Sequence, residues 1–214
     1  MTLSTLKPTA RLREQPPTVD PQTSILQTSA ARFVAIGGSR RPNSSTYRAL
    51  EVARREFENL GILLHILDLR QMNLPFVDGS ESYADYPDVA VLKEALKQAD
   101  GIILASPEYH GSISGSLKNA LDLLSFDELE GKVFGLISVL GGETNSNTLN
   151  QMRLIVRWVR GWVIPDQIAI GRAWNAFDEQ GNLKDENLQQ RFQRFAQSLV
   201  TNTHKLRGIP VQGA

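Results

Sequence analysis

The chain has 214 residues, 41% of them hydrophobic and 21% charged, with a formal net charge of zero. That is enough for one well-filled α/β domain and gives no electrostatic reason to expect a nucleic-acid or anionic-membrane partner. Cysteine is absent and the three histidines, His65, His110 and His204, are scattered, which excludes disulfides and thiolate chemistry and argues against a histidine zinc site.

Residues 1–30 are rich in Thr, Ser, Pro and Gln and poor in large apolar side chains. Such a segment cannot bury enough surface to offset its ordering entropy, so it reads as a flexible N-terminal arm. A transit peptide and an arm that wraps a neighbouring subunit both remain open. The folded domain is expected over residues 31–214, with no apolar run of membrane-spanning length.

From there strands and helices alternate. Residues 32–36 predict a first strand ending in Gly37-Gly38. Tyr47, Leu50, Ala53, Phe57 and Leu60 recur at helical spacing after a Ser44 or Ser45 cap, and Gly61 stops that helix. A second strand is expected at 62–67, a polar loop at 71–87 and a helix at 88–98. A third strand at 101–105 leads into a helix from Ser114 to Leu124. The fourth strand is expected at 132–139, a helix at 146–162, a short fifth strand at 167–170 and a last helix at 185–206. This alternation predicts a doubly wound parallel sheet in a three-layer α/β/α domain, with the flavodoxin-like order 2-1-3-4-5. The crevice between the first and third strands is then the switch point at which ligands bind.

Three loops fall at carboxyl ends of strands. The first, Gly37 to Thr46, joins a strand to a helix N-terminus and carries two arginines among several hydroxyls. Free N–H groups and the helix dipole favour a phosphate there. Neither Gly-x-Gly-x-x-Gly nor the Gly-Lys-Ser/Thr of an ATP-binding loop is present. Hydroxyls in place of further glycines suit a terminal monophosphate. The second loop, Ser106-Pro107-Glu108-Tyr109-His110-Gly111, offers a stiffened turn, an aromatic face and a glycine that lets a flat ligand approach. The third, Leu140-Gly141-Gly142-Glu143, follows the fourth strand.

Together these loops resemble the NADPH-dependent FMN reductase family, from Phe33 onward. The family's Gly-Ser-x-Arg-x-x-Ser-x-Thr loop matches Gly38 to Thr46. Its Pro-Glu-Tyr loop and following Gly-x-Leu-Lys-Asn-Ala-Leu-Asp match Pro107-Glu108-Tyr109 and Gly115 to Asp122. His110-Gly111, Gly141-Gly142, Asn150 to Arg153, Arg157-Trp158, Ile164-Pro165-x-Gln167 and Phe177-Asp178-Glu179 are similar to the arsenical-resistance ArsH branch, although Tyr109 stands where that branch usually has arginine.

The resemblance implies bound FMN, with its phosphate at Ser39, Arg41, Ser44, Ser45 and Thr46. Its ring would lie on Ser106, Pro107, Glu108, Tyr109, His110 and Gly111, near Gly141 and Gly142. NADPH, or NADH, would supply hydride to the flavin, which passes electrons to free flavin, a quinone, an azo dye, a metal ion, oxygen or an organoarsenical. Backbone N–H groups of Glu108 to Gly111 are the donors expected to stabilise negative charge on the reduced ring. No catalytic side chain is required. The expected location is cytoplasmic, and the resemblance implies a homo-oligomer, a tetramer or dimer. Trp158 and Trp162, read as one helical turn apart with Arg153, Arg157 and Arg160 between or beside them, are either core packing with a solvated basic face or a surface for that assembly. The competing reading is a flavodoxin-type FMN electron carrier without NAD(P)H activity.

Overall fold

A computed structural model describes residues 31–143 and 146–209, so the expected arm at 1–30 lies outside the described residues. Five parallel strands form one sheet: β1 (Phe33–Gly37), β2 (Leu64–Asp68), β3 (Gly101–Pro107), β4 (Val133–Val139) and β5 (Trp162–Ile170). Their order is β2-β1-β3-β4-β5, the predicted one. The helices are α1 (Ser45–Asn59), α2 (Pro87–Gln98), α3 (Gly115–Asp122), α4 (Phe126–Leu129), α5 (Ser146–Trp158) and α6 (Glu186–Arg207).

The strands β1, β3 and β4 are buried along their whole length. They carry near-continuous apolar runs because both faces of a parallel sheet are covered. Alternation then sorts side chains between two cores. Phe33, Ala35, Ile103 and Ile137 face α1 and α6, against Phe57, Phe192 and Phe195. Val34, Ile36, Ile102, Leu104 and Leu136 face the layer of α2, α3, α4 and α5, against Leu96, Leu117, Leu129 and Met152. The helix C-terminus expected at Gly61 is present, with Gly61 at φ 72°.

Three elements depart from expectation. The helix predicted at 146–162 ends at Trp158, and Trp162 instead opens β5. Arg160 adopts φ 60° and donates its N–H to the Arg157 carbonyl (3.2 Å), while the Gly161 N–H reaches the Val156 carbonyl (2.9 Å). That pair of bonds is the Schellman termination, here with arginine at the left-handed position and glycine one residue later. The two tryptophans are therefore not on one helix face. The fifth strand, expected at 167–170, is nine residues long and contains Pro165. β5 lies at the sheet edge, and its register with β4 shifts between Phe134 and Leu136. An edge position with a local irregularity tolerates a proline that a central strand would reject. The short α4 was also unanticipated, although Ser125 and Glu128 form a complete capping box that marks its start.

Candidate functional site

The loops after β1 and β3 meet at the switch point. The Gly38 N–H donates to the Ala105 carbonyl (2.8 Å), and the Ser114 hydroxyl donates to the Gly38 carbonyl (2.5 Å). A Cβ at Gly38 would lie 2.7 Å from both Leu117 Cβ and Ser114 Oγ. Only a glycine lets the chain leave β1 this close to the start of α3. Ser114 also caps α3 by accepting the Leu117 N–H (3.2 Å).

The first loop is tied down from outside. The Arg40 guanidinium donates to the Leu69 carbonyl (2.7 Å), and Arg70 donates to the Pro42 carbonyl (3.0 Å). The Tyr47 hydroxyl bridges the Gly37 carbonyl (2.7 Å) and the Leu69 N–H (2.9 Å). Arg70 stacks on the Tyr47 ring at 3.9 Å and pairs with Asp68 at 2.6 Å. Burial alone would raise the Asp68 carboxyl. Hydrogen bonds from the Arg70 guanidinium and backbone N–H outweigh it and hold the group at about 2. Inside the loop, Ser44 Oγ accepts the N–H groups of Thr46 (3.1 Å) and Tyr47 (3.4 Å) and so caps α1. Ser39 Oγ accepts the Arg41 N–H (3.3 Å). The backbone N–H groups of Ser39, Arg40, Asn43, Ser44 and Ser45 have no partner among the described residues, nor does the exposed Arg41 guanidinium. A cluster of free N–H groups at a helix N-terminus beside an unpaired cation is an anion site.

The second loop turns at its tip. Tyr109 and Ser112 exchange both backbone hydrogen bonds (3.0 and 3.1 Å) around His110 at φ 51° and Gly111 at φ 74°. Two positive φ values at the centre make this a type I′ turn. The Glu108 N–H is already given to the Val139 carbonyl (2.9 Å). The four N–H groups expected to face a ligand here are thus reduced to those of His110 and Gly111, because the turn and the β4 ladder consume the other two. The Glu108 carboxylate is buried and accepts the Thr148 N–H (3.1 Å) in the first turn of α5. It holds the loop against that helix and satisfies one of its orphan donors. The fully buried Ser106 hydroxyl donates to the Pro107 carbonyl (2.8 Å) and accepts the Ser114 N–H (2.9 Å), an internal brace rather than a lining group.

A cavity of about 320 Å³ opens between these loops. Of the residues expected at the site, Ser39, Arg41, Ser44, Ser45, Thr46, Pro107, Glu108, Tyr109 and Gly141 line it together. Ser106, His110, Gly111 and Gly142 do not; His110 and Gly142 are exposed beside it. The reading of the sequence missed Asn43, Arg48, Val139 and Leu140, and it missed a fourth wall, Ala173 and Trp174, from the loop after β5. That loop is strapped to the third one. The Arg172 N–H donates to the Gly142 carbonyl (2.6 Å), the Ala173 N–H to the Leu140 carbonyl (3.0 Å), and the Arg172 side chain pairs with Glu143. A Cβ at Gly171 would overlap the Glu143 carbonyl, so the strap needs glycine there. The Ser45 hydroxyl closes the ring on the Ala173 carbonyl (3.5 Å). The strap leaves the Trp174 indole 76% exposed at the cavity.

Residues 31–175 match the family described as NADPH-dependent FMN reductase. The chain belongs to that family. An FMN-dependent NADPH-azoreductase of Staphylococcus aureus is 36% identical over 170 residues, covering 77% of this chain and 90% of the relative. Among solved structures, the NAD(P)H:(acceptor) flavoenzyme FerB of Paracoccus denitrificans superposes with a TM-score of 0.71 at 20% identity, covering 82% of this chain and 98% of its own. The apo form of the NADH:FMN oxidoreductase EMOB superposes at 0.58 and 21% identity, over 79% and 90% of the two chains. The fold is flavodoxin-like, and the protein is an oxidoreductase that takes electrons from NADPH to flavin and on to an acceptor. The donor set fits an FMN phosphate: free N–H groups, hydroxyls and a guanidinium without a carboxylate partner.

The Asp68–Arg70 pair lends itself to a direct test. The folded Asp68 pKa of about 2 lies below its ordinary 3.8, so its contribution is present above pH 4 and is lost as pH falls through 2. Asp68→Asn should lower unfolding free energy by about 2 kcal/mol at pH 6. In urea titrations the gap between variant and wild type should close between pH 4 and pH 2.

Proposed function

We propose that the electron acceptor is a small planar aromatic compound, an azo dye or a quinone, reduced at the cavity between the four loops, in the cytoplasm where NADPH is supplied. The observation that carries this reading is the pairing of a phosphate-type donor cluster at one end of the cavity with exposed Tyr109 and Trp174 lining it. Exposed aromatic faces fixed on braced loops favour a flat, apolar ligand. The azoreductase relative supports the same choice. The likeness to the ArsH branch keeps an organoarsenical as a comparison substrate.

Ser39, Arg41, Ser44, Ser45 and Thr46 bind the FMN phosphate through side chains and free N–H groups. Pro107 to Tyr109 and Leu140 to Gly141 bear the ring. When bound, FMN supplies the two-electron chemistry, hydride acceptance from NADPH and delivery to the acceptor. Glu108, the only carboxylate lining the cavity among the described residues, is occupied by the Thr148 N–H and keeps the ring-bearing loop on α5. No side chain is assigned a proton-transfer role. Mixing FMN-loaded protein with NADPH without oxygen should bleach the flavin, and an azo dye or quinone should restore its colour faster than phenylarsenical compounds do. A flavin that NADPH leaves unbleached would place the protein with the electron carriers instead.

Arg41→Ala should weaken FMN binding by roughly ten- to a hundredfold, since a charge-assisted bond to a phosphate contributes about 1.5–3 kcal/mol. Arg40→Ala should cost much less, because Arg40 is already committed to the Leu69 carbonyl. Arg41→Lys should recover only part of the loss, lacking the planar fork. Equilibrium titration of the apoprotein with FMN reads all three.

We also propose a homo-oligomer, a dimer or tetramer, assembled through α5 and the edge strand β5. Leu154 (65% exposed), Trp158 (78%) and Trp162 (58%) lie on these two elements, and a sheet edge with large exposed apolar neighbours favours a covering partner. Light scattering should give at least twice the mass of one chain, and Trp158→Arg should reduce it.

A further inference from the structure

A second cavity, about 660 Å³, lies beside the first along α1. The two share Asn43, Ser44 and Arg48. Six charged side chains line the second: four arginines against Glu51 and Asp68. Two of the arginines are neutralised in place, Arg54 by Glu51 (2.7 Å) and by Glu58, and Arg70 by Asp68 (2.6 Å). Among the described residues the other two have no carboxylate partner. Arg55 donates only to neutral oxygens, Asn182 Oδ1 and the Gly181 carbonyl, both at 3.0 Å. Arg48 has no side-chain partner among the described residues. Arg41 lines the first cavity, Arg48 both and Arg55 the second. Three uncompensated guanidinium groups thus run from the FMN phosphate loop down α1, and Arg48 and Arg55 are seven residues apart, about 10 Å along the helix. One flavin phosphate uses the first of them. The remaining two call for a further anion on a ligand long enough to pass from one cavity to the next.

We infer that the second cavity binds the adenosine half of NADPH and that Arg48 and Arg55 hold its ribose 2′-phosphate, selecting NADPH over NADH. The inference rests on the functional reading above. A dinucleotide whose nicotinamide end works at the first cavity extends past the shared Asn43, Ser44 and Arg48 edge into the second. A phosphomonoester is the anion that a guanidinium fork matches, and it is the only group by which the two dinucleotides differ. Arg70, whose Cζ lies over the Tyr47 ring at 3.9 Å, adds a guanidinium to the lining of the same cavity, a group that attracts an adenine ring.

The test uses FMN-saturated protein and calorimetric titration with adenosine 2′,5′-bisphosphate, adenosine 5′-monophosphate and inorganic phosphate. Wild type should bind the bisphosphate about tenfold or more tighter than the monophosphate, and phosphate alone weakly. Arg48→Ala and Arg55→Ala should each erase most of that difference, and Arg55→Lys should restore part of it. In steady state the KM for NADPH should rise about tenfold relative to that for NADH. Loosening of the Gly181–Asn182 turn alone would lower thermal stability without changing the ratio between the two adenosine ligands. Equal binding of the two ligands by wild type, or an unchanged ratio in both alanine variants, overturns the inference. Reduction of the flavin at saturating NADPH is scored separately. If it occurs while the ratio is flat, the selectivity site fails and the oxidoreductase reading stands; if it does not occur, that reading fails.

Discussion

Everything about the site depends on how closely the chain leaving β1 passes the start of α3. The contact is made of two hydrogen bonds, from the Gly38 N–H to Ala105 and from the Ser114 hydroxyl to the Gly38 carbonyl. Parallel neighbours β1 and β3 send their connecting helices to opposite faces of the sheet, which opens a crevice between the two loops. Without a bond across it the loops would be independent surface turns. With it, the phosphate end and the ring end of the cavity share one rigid base, and a side chain at position 38 has nowhere to go.

The donors at the phosphate end are free because other groups carry the structural bonding. Ser44 Oγ absorbs two N–H groups of α1, Ser39 Oγ absorbs that of Arg41, and Arg40 and Arg70 fasten the loop to the end of β2. What is left over points to function: five backbone N–H groups and the Arg41 guanidinium. Ser39 and Ser44 are buried, and a concentrated set of donors at a helix N-terminus without partners among the described residues marks a place where an anion completes the bonding. The same reasoning separates Arg48 and Arg55 from Arg54 and Arg70 in the adjoining cavity, where the acids satisfy one pair and leave the other.

On the opposite side, rigidity comes from backbone-to-backbone strapping. The loop after β5 is bound to the loop after β4 at Gly142 and Leu140, and to α1 through Ser45. Holding a largely exposed indole on such a strap leaves apolar surface in water, which a ligand stacking on it would cover. Glu108 does related work from below by gripping the first turn of α5. That bond occupies the carboxylate and positions the loop, while Glu108 still lines the cavity.

The sequence alone determined the sheet order, the family and nine of the residues that line the cavity, because those are written in local signals. Apolar runs of strand length, helical spacing and a glycine- and hydroxyl-rich turn before a cap depend on near neighbours. What tertiary structure decided depends on partners far along the chain. The early end of α5 follows from a left-handed arginine where glycine is the usual sign, and the full length of β5 is hidden by Pro165, which only an edge position accommodates. Ala173 and Trp174 reach the site through bonds to residues about thirty positions earlier and, in one case, to Ser45, 128 positions earlier. Whether an arginine is free or neutralised is likewise not local: Arg55 meets Asn182, 127 residues away, and nothing in its own helix announces that its partner carries no charge.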